Sequence, residues 1–175
     1  DATTGQEVWR RHLSSTVGPN QYTAGPPPQL IIAGDRIFAC DQSGAATAID
    51  ARTGAFLWLR LLANLHRDED STAPLGSINP LPHGPPILVE AGLLISPSNA
   101  QVPLLLLDPQ TGQLKRMLNG TPLAEMSGFW SAGHDVFAIN NQRAMLFDGR
   151  TLEPKWSQAV AGLNIAVPYG AVTIT

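Results

Sequence analysis

The sequence predicts an all-β protein built from repeated four-stranded antiparallel sheets, and three observations indicate this. First, a segment with Asp and Thr three residues apart recurs four times, and in each copy a large side chain follows the Asp by eight positions. Second, short apolar runs bounded by Gly, Pro, Asn or Asp surround each copy, as is typical of strands. Third, helical spacing of apolar residues is not sustained anywhere for two turns. The four copies begin at Asp1, Asp50, Asp108 and Asp148.

Four apolar runs follow one another in the same order in each complete repeat, and they predict its four strands. In the three complete repeats these runs are Leu30–Ala33, Ile37–Cys40, Ala45–Ile49 and the residues around Trp58; Ile87–Val89, Leu93–Ile95, Val102–Leu107 and the residues after Gly112; and Phe129–Trp130, Val136–Ile139, Arg143–Phe147 and the residues around Trp156. One repeat spans roughly 40 to 58 residues from Asp to Asp. Tandem four-stranded units of this length are typical of the blades of a β-propeller. A β-sandwich would not explain the repeated turn, and a β-solenoid would need a shorter period.

The predicted propeller is a single domain over residues 1–175. Complete blades are expected at about 28–62, 86–118 and 127–161, with parts of blades at 1–13 and 164–175. Two interpretations of the ends stay open. The favoured one is a piece of a larger propeller of about seven or eight blades. The other is a small propeller closed by pairing of the two ends.

The recurring segment is expected to form the hairpin between the third and fourth strands of a blade. An Asp side chain can accept hydrogen bonds from backbone groups two residues later, Thr can do the same through its hydroxyl, and Gly supplies a left-handed backbone conformation. The Trp then lies on the outer strand, where it can wedge between neighbouring blades. These roles are structural rather than catalytic. The motif residues are Asp1, Gly5, Trp9, Asp50, Thr53, Gly54, Trp58, Asp108, Thr111, Gly112, Asp148, Thr151 and Trp156.

The fourth copy departs from this pattern because Leu152 occupies the position of the Gly. A left-handed conformation costs a residue with a Cβ roughly 1–2 kcal/mol. The turn of this copy is therefore expected to pivot on Asp148-Gly149 instead.

The segment AIDARTGAFLW at residues 48–58 resembles the quinoprotein-type, or PQQ-binding-like, propeller repeat, whose hallmark is Ala-x-Asp-x-x-x-Gly-x-x-x-Trp. The third copy has Leu106 for the Ala and Arg116 for the Trp, and the fourth has Leu146 for the Ala and Leu152 for the Gly. The resemblance covers essentially the whole chain. It implies a β-propeller and an exported, periplasmic or cell-surface setting.

Quinoprotein enzymes of this family hold pyrroloquinoline quinone on the propeller axis, against an adjacent pair of cysteines and above a Trp floor, beside a bound calcium ion. This chain has a single cysteine, Cys40, and so lacks the pair. Trp130 lies in a first-strand run, where core packing explains it better than a quinone does. The resemblance therefore implies the non-catalytic branch: no catalytic, cofactor-binding or metal-binding residue is assigned, and no cofactor is expected. The alternative is a fragment of a PQQ-dependent alcohol or sugar dehydrogenase, with quinone and calcium as cofactors.

Composition argues against several other classes. The net charge is −3 and the basic residues do not cluster beyond Arg10-Arg11, which gives nucleic-acid binding little support. The sequence has no run of eighteen apolar residues that would suggest a membrane span. The four histidines show no His-x-x-x-His spacing, so a zinc site is unsupported.

The connection over about residues 63–86 is the most unusual segment, because connections of this length are rare in compact domains and are often functional. It should share one propeller face with the connections at about 14–28 and 119–128. The candidate partner-binding residues on it are His66, Arg67, Asp68, Glu69 and Asp70. A solvated loop without a partner is the other interpretation of this charged cluster, and two carboxylates alone are weak evidence for calcium.

The function that these observations favour is a non-catalytic scaffold or recognition domain that binds a protein or polymer in an exported or cell-surface assembly. Its partner is a protein or the remaining part of the same propeller. Besides the dehydrogenase fragment, an extracytoplasmic sensor domain of a larger signalling protein is an alternative.

Overall fold

The computed structural model describes residues 3–13, 29–40, 45–62, 85–96 and 104–160. These residues form three four-stranded antiparallel sheets, and each sheet takes its strands in chain order. We call the sheets blade 1, blade 2 and blade 3. The predicted all-β class with four-stranded antiparallel blades is confirmed. The strands are β1 (Gln29–Ala33), β2 (Arg36–Cys40), β3 (Ala45–Asp50) and β4 (Phe56–Leu61) in blade 1; β5 (Ile87–Val89), β6 (Gly92–Ile95), β7 (Leu104–Leu107) and β8 (Leu114–Leu118) in blade 2; and β9 (Gly128–Ala132), β10 (Asp135–Ile139), β11 (Arg143–Phe147) and β12 (Pro154–Ala159) in blade 3.

The third and fourth strands of all three blades share one register. In blade 1, Ala48 lies opposite Trp58, and the register shifts between Ala48 and Ile49. Blade 2 and blade 3 have the same shift one step beyond the equivalent pairs, which are Leu106 with Arg116 and Leu146 with Trp156. The last position of each repeat is therefore structurally equivalent in the three blades.

Blade 2 buries both of its faces. Every residue of β6 and β7 is buried, which explains why these strands are continuous apolar runs without polar alternation. Adjacent strand residues point to opposite faces, so Leu93 packs with blade 1 in one core cluster and Leu94 packs with blade 3 in another. Each fully buried leucine stabilises the fold by roughly 1.5–3 kcal/mol. The two clusters join the three blades into one packed body.

A short 3-10 helix, Pro122–Glu125, lies in the connection between blade 2 and blade 3. The Thr121 hydroxyl accepts a hydrogen bond from the Ala124 backbone N–H at its start, and Leu123 is completely buried. The Arg143 guanidinium contacts the Glu125 carboxylate at 2.7 Å. Part of this connection therefore belongs to the core, which the sequence pattern did not reveal. In the part of the chain that the structure describes, no helix has the length and apolar character needed to cross a membrane.

Candidate interaction surfaces

The recurring Asp-x-x-Thr-Gly segment forms a closed turn between the third and fourth strands. In blade 1, Asp50 Oδ1 accepts hydrogen bonds from the Thr53 backbone N–H at 2.7 Å, the Thr53 hydroxyl at 2.7 Å and the Arg52 N–H at 3.1 Å. The Gly54 N–H donates to the Asp50 carbonyl at 2.8 Å, and Gly54 has φ +69°. The turns at Asp108 and Asp148 have the same set of bonds. A single carboxylate oxygen thus organises each turn.

These hydrogen bonds favour the ionised form of the turn aspartates. Donation by the Thr53 hydroxyl and backbone holds the pKa of Asp50 below its usual value, and donation by the Thr111 backbone does the same for Asp108. In the third turn, the backbone N–H groups of Thr151 and Arg150 lower the pKa of Asp148 to about 2, with a further contribution from Lys155.

Leu152 adopts the left-handed conformation that the motif requires, with φ +63°. Its N–H donates to the Asp148 carbonyl at 2.8 Å, as the Gly54 N–H does to Asp50. The expectation that this turn pivots on Asp148-Gly149 is therefore wrong. The hydrogen bonds to Asp148 hold the turn, and burial of the Leu152 side chain in the cluster between blades 2 and 3 offsets the backbone strain.

Two tryptophans contact the turn of the following repeat in the same way. A Cβ placed on Gly54 would lie 2.6 Å from the Trp9 indole, and one placed on Gly112 would lie 2.6 Å from the Trp58 indole. Each indole N–H also donates to the carbonyl just after the turn aspartate: Trp9 to Ala51 at 2.9 Å and Trp58 to Pro109 at 3.1 Å. We call this arrangement the Trp-on-Gly contact.

An arginine two residues after each of these tryptophans completes the contact. The Arg60 guanidinium donates to the Gly112 carbonyl at 3.2 Å, and the Arg11 guanidinium donates to the Gly54 carbonyl. Sequence reasoning missed both arginines. The signal was present as a Trp-x-Arg pattern in two copies, but only alignment of the repeats with one another would have revealed it.

The junction between blades 2 and 3 replaces both members of the Trp-on-Gly contact. Arg116 occupies the Trp position, and Leu152 occupies the position of the glycine that the indole would cover. An indole that lies on the turn leaves no room for a side chain at the glycine position, so the loss of the indole and the replacement of the glycine are consistent with one another. At this junction the Ala91 N–H instead donates to the Gly149 carbonyl at 2.8 Å. Within blade 3, Lys155 contacts Asp135 at 2.9 Å and Asp148 at 3.3 Å.

Blade 3 presents an aromatic face on the side away from blade 2. Trp130 and Phe137 are cross-strand partners with ring centroids 6.0 Å apart, and Phe137 meets Trp156 edge-on at 6.4 Å. Trp156 is 47% exposed, whereas its equivalent Trp58 is 8% exposed. The predicted wedge between blades thus holds for Trp58, while Trp156 is half-exposed. Trp130, for which the sequence predicts core packing, is half-buried beside Phe137 and belongs to neither buried core cluster.

Blade 1 presents an aliphatic face on its outermost strand. Leu57, Leu59 and Leu61 alternate along β4 on the side opposite Trp58, and they are between 44% and 49% exposed. We call these three residues the β4 leucine face. Large apolar side chains grouped in this way mark interaction surfaces more often than single exposed leucines do.

Asp1 and the predicted partner-binding residues His66, Arg67, Asp68, Glu69 and Asp70 lie outside the described residues. Cys40 is buried in the cluster between blades 1 and 2. Within the described ranges, no group of three or more His, Cys, Asp or Glu side chains could hold a metal ion.

Comparison with solved structures shows the fold. BamB from Moraxella catarrhalis matches with a TM-score of 0.50 at 17% sequence identity, and the match covers 75% of this chain and 35% of that chain. A quinohemoprotein alcohol dehydrogenase from Pseudomonas putida HK5 gives a TM-score of 0.48 at 14% identity over 74% of this chain and 20% of that chain. The chain thus spans about a third or less of the length of these structures. No curated protein sequence matches the chain.

The comparison with protein families is more extensive along the chain. The model of the family described as outer membrane protein assembly factor BamB matches residues 1–158. This span includes blades 1 and 2, all of blade 3 except its last strand residue, and both Trp-on-Gly contacts of the described residues. The chain therefore belongs to the BamB family of PQQ-like β-propeller repeat proteins.

Proposed function

We propose that this chain is a non-catalytic β-propeller scaffold that binds protein in an exported or cell-surface assembly. The observation that carries the proposal is the β4 leucine face, which lies on the last strand of blade 1 in the sheet order. The family description adds support, because an assembly factor for outer membrane proteins must contact other proteins and works outside the cytoplasm.

The β4 leucine face suits an extended partner segment. Among the described residues, β4 pairs only with β3, so its other backbone edge is open to a further strand. An added strand would gain main-chain hydrogen bonds, and alternate apolar side chains would cover Leu57, Leu59 and Leu61. Such an edge is aggregation-prone when bare, so a partner that covers it also protects the protein.

The test uses a panel of synthetic extended peptides with alternating apolar residues, measured by calorimetry and by backbone amide shifts of β4. The proposal expects a peptide of this pattern to bind and to shift the β4 amides, and Leu59→Asp to weaken binding by about 30-fold or more. Met117→Asp is the matched control, because Met117 on β8 has the same register position as Leu59 and is 37% exposed. Absence of binding by every peptide, or equal loss in both variants, would contradict the proposal.

The charged connection is a second candidate surface of the same function. Its support is the sequence of residues 66–70 in a connection of unusual length. Replacing residues 64–84 by a short linker should leave folding intact and weaken partner binding. Unchanged binding of a partner that is sensitive to Leu59→Asp would remove this connection from the proposal.

The proposal also expects no quinone chemistry. Its basis is the single Cys40, which leaves the chain without the adjacent cysteine pair of the quinoprotein enzymes. Titration with pyrroloquinoline quinone and calcium should cause no saturable quenching of tryptophan fluorescence. Saturable quenching with a defined stoichiometry would favour the dehydrogenase alternative.

A further inference from the structure

Two pairs of residues combine a side-chain carbonyl group with a following glycine. They are Asn119-Gly120 and Asp148-Gly149, and each dipeptide occurs once in the sequence. In such a pair the backbone nitrogen of the glycine can attack the side-chain carbonyl carbon and close a succinimide ring. Glycine favours this reaction because it has no Cβ to hinder the approach and its backbone reaches conformations closed to other residues. The sequence alone does not show which pair can react, but the structure distinguishes them.

The Asp148-Gly149 pair is restrained at each group that ring closure uses. The Gly149 N–H donates to Asp135 Oδ1 at 3.1 Å, and Asp148 Oδ1 accepts a hydrogen bond from the Thr151 N–H at 2.9 Å. The Thr151 N–H is the main cause that lowers the pKa of Asp148 to about 2, so the carboxyl is ionised at neutral pH and is a poor electrophile. A Cβ on Gly149 would collide with the His134 carbonyl, so this glycine has little room to move.

The Asn119-Gly120 pair lies in the connection between blade 2 and blade 3 and has none of these restraints. Both residues are exposed. Gly120 has φ +62°, and a Cβ placed on it would meet no described atom within 4 Å. Among the described residues, no hydrogen bond involves the Asn119 side chain or the Gly120 N–H. The attacking nitrogen and the side-chain amide are therefore free to approach each other.

We propose that Asn119 is a site of spontaneous deamidation in the folded protein, whereas the turn at Asp148 protects its own pair from the equivalent isomerisation. The Gly120 backbone nitrogen loses its proton and forms a bond to Asn119 Cγ. The bond from Cγ to the side-chain nitrogen breaks, and ammonia leaves. Water then adds to either carbonyl of the succinimide and opens the ring, which gives aspartate or isoaspartate. Each product has a carboxylate in place of the neutral amide.

The modified pair lies between two anchored positions. Leu118 and Leu123 are buried on either side of it, and the Thr121 hydroxyl accepts the Ala124 N–H at the start of the 3-10 helix. The new negative charge therefore appears at a defined place on the surface, while the flanking side chains stay in the core. This modification goes beyond the proposed function and can succeed or fail independently of it, because the β4 leucine face takes no part in the reaction.

The experiment incubates the 175-residue chain at neutral pH, folded in buffer and unfolded in urea, and follows both pairs by peptide mapping. Mass spectrometry detects deamidation of Asn119, and chromatography separates the isoaspartate form at Asp148. Each site is compared with itself, because amides and carboxylates differ in intrinsic reactivity. The Asn119 rate should agree within about threefold between the folded and unfolded chains. The Asp148 rate should rise about tenfold or more in urea, because reaction in the folded chain first requires opening of the turn.

Matched glycine variants test the attacking nitrogen. Gly120→Ala places a methyl group beside it and should slow deamidation of Asn119 about tenfold or more. Gly34→Ala has the same φ of +62° and equally open space, and should leave the Asn119 rate unchanged. If circular dichroism shows that Gly120→Ala does not fold, Asn119→Gln replaces it. This variant keeps an amide but needs a larger ring, so the more acidic species should no longer accumulate on anion exchange.

Asn140 is an internal reference within the same chain. Its Oδ1 accepts the Arg143 N–H at 2.9 Å, and its Nδ2 donates to the Glu125 carbonyl at 3.1 Å, so it should stay intact while Asn119 reacts. Three results would overturn the proposal. They are an Asn119 that stays intact in the folded chain, an Asn119 rate that urea raises as much as the Asp148 rate, and an Asp148 rate that is equal in the folded and unfolded chains.

Discussion

Trp58 lies flat against Gly112, so that a Cβ on that glycine would fall 2.6 Å from the indole ring. The two residues belong to consecutive repeats, 54 positions apart in the sequence. The same relationship joins Trp9 to Gly54. The glycine in the turn therefore has two roles: it adopts the left-handed conformation, and it leaves room for the indole of the preceding repeat. The first role is local to the turn, whereas the second joins neighbouring repeats.

The two roles can be separated by comparing glycines. Gly54→Ala should destabilise the protein by about 3 kcal/mol or more, because its Cβ collides with the Trp9 ring in addition to the backbone strain. Gly34→Ala has a similar φ and open space around the Cβ, so it should cost only about 1–2 kcal/mol. Chemical denaturation of both variants gives the free energies of unfolding. Equal losses would show that the indole contributes nothing at Gly54.

The Trp58 ring and its N–H contribute separately to stability. Trp58→Ala should cost about 3–5 kcal/mol, since the side chain is almost fully buried. Trp58→Phe keeps an aromatic ring on Gly112 but loses the hydrogen bond to the Pro109 carbonyl. Trp58→Phe should therefore cost less than Trp58→Ala. It should cost more than the roughly 1 kcal/mol of one lost hydrogen bond, because the smaller ring also leaves a void. Thermal unfolding of the two variants tests this order, and Trp156→Ala should be milder than Trp58→Ala because Trp156 is half exposed.

The junction between blades 2 and 3 should form the Trp-on-Gly contact only when Arg116 and Leu152 are replaced together. Arg116→Trp alone places an indole against Leu152, and Leu152→Gly alone removes a buried side chain. The double variant provides the indole and the glycine together. We expect a favourable coupling energy of about 0.5–3 kcal/mol in a double-mutant cycle of unfolding free energies. Additive effects would mean that Arg116 and Leu152 are independent.

The turn aspartates should make stability depend on pH in the acid range. The folded-state pKa of Asp148 is lowered to about 2 by the Thr151 and Arg150 N–H groups and by Lys155. A depressed carboxylate pKa contributes stability that is present above the unfolded value of 3.8 and is lost as pH falls toward 2. The pKa values of Asp50, Asp108 and Asp135 are lowered as well, so their contributions have the same sign.

Asp148→Asn isolates the contribution of the third turn. The difference in unfolding free energy between wild type and this variant should be largest at neutral pH and should shrink as pH falls from about 4 to 2. Urea titrations at a series of pH values measure it. A difference that stays constant or grows on acidification would contradict the assigned role of the Asp148 carboxylate.

The sequence predicted the features that depend on local chemistry or on the period of the repeat. The four strands per blade follow from apolar runs between turn residues, and the fold class follows from their repetition. The Asp50 turn can be predicted from the sequence because the residues that form its hydrogen bonds all lie within five positions of Asp50.

Features that depend on neighbouring blades were harder to predict. Leu152 was misjudged because its backbone preference was weighed without the burial that offsets it. Arg60 was missed because its acceptor, the Gly112 carbonyl, lies in the next repeat. Trp156 has the same sequence context as Trp58, yet its exposure differs because no described sheet covers blade 3 on that side. The β4 leucine face was not predicted for a related reason. Apolar residues in a strand pattern look the same in sequence whether or not a neighbouring sheet covers them.

The central claim is that an indole lying on the glycine of the next turn joins blade 1 to blade 2, and joins the segment that carries Trp9 to blade 1. The most direct test is the cost of Gly112→Ala measured by denaturant unfolding in two backgrounds. With Trp58 present, we expect a loss of about 3 kcal/mol or more, and in the Trp58→Ala background the same change should cost only the backbone strain of about 1–2 kcal/mol. The same loss in both backgrounds would contradict the claim.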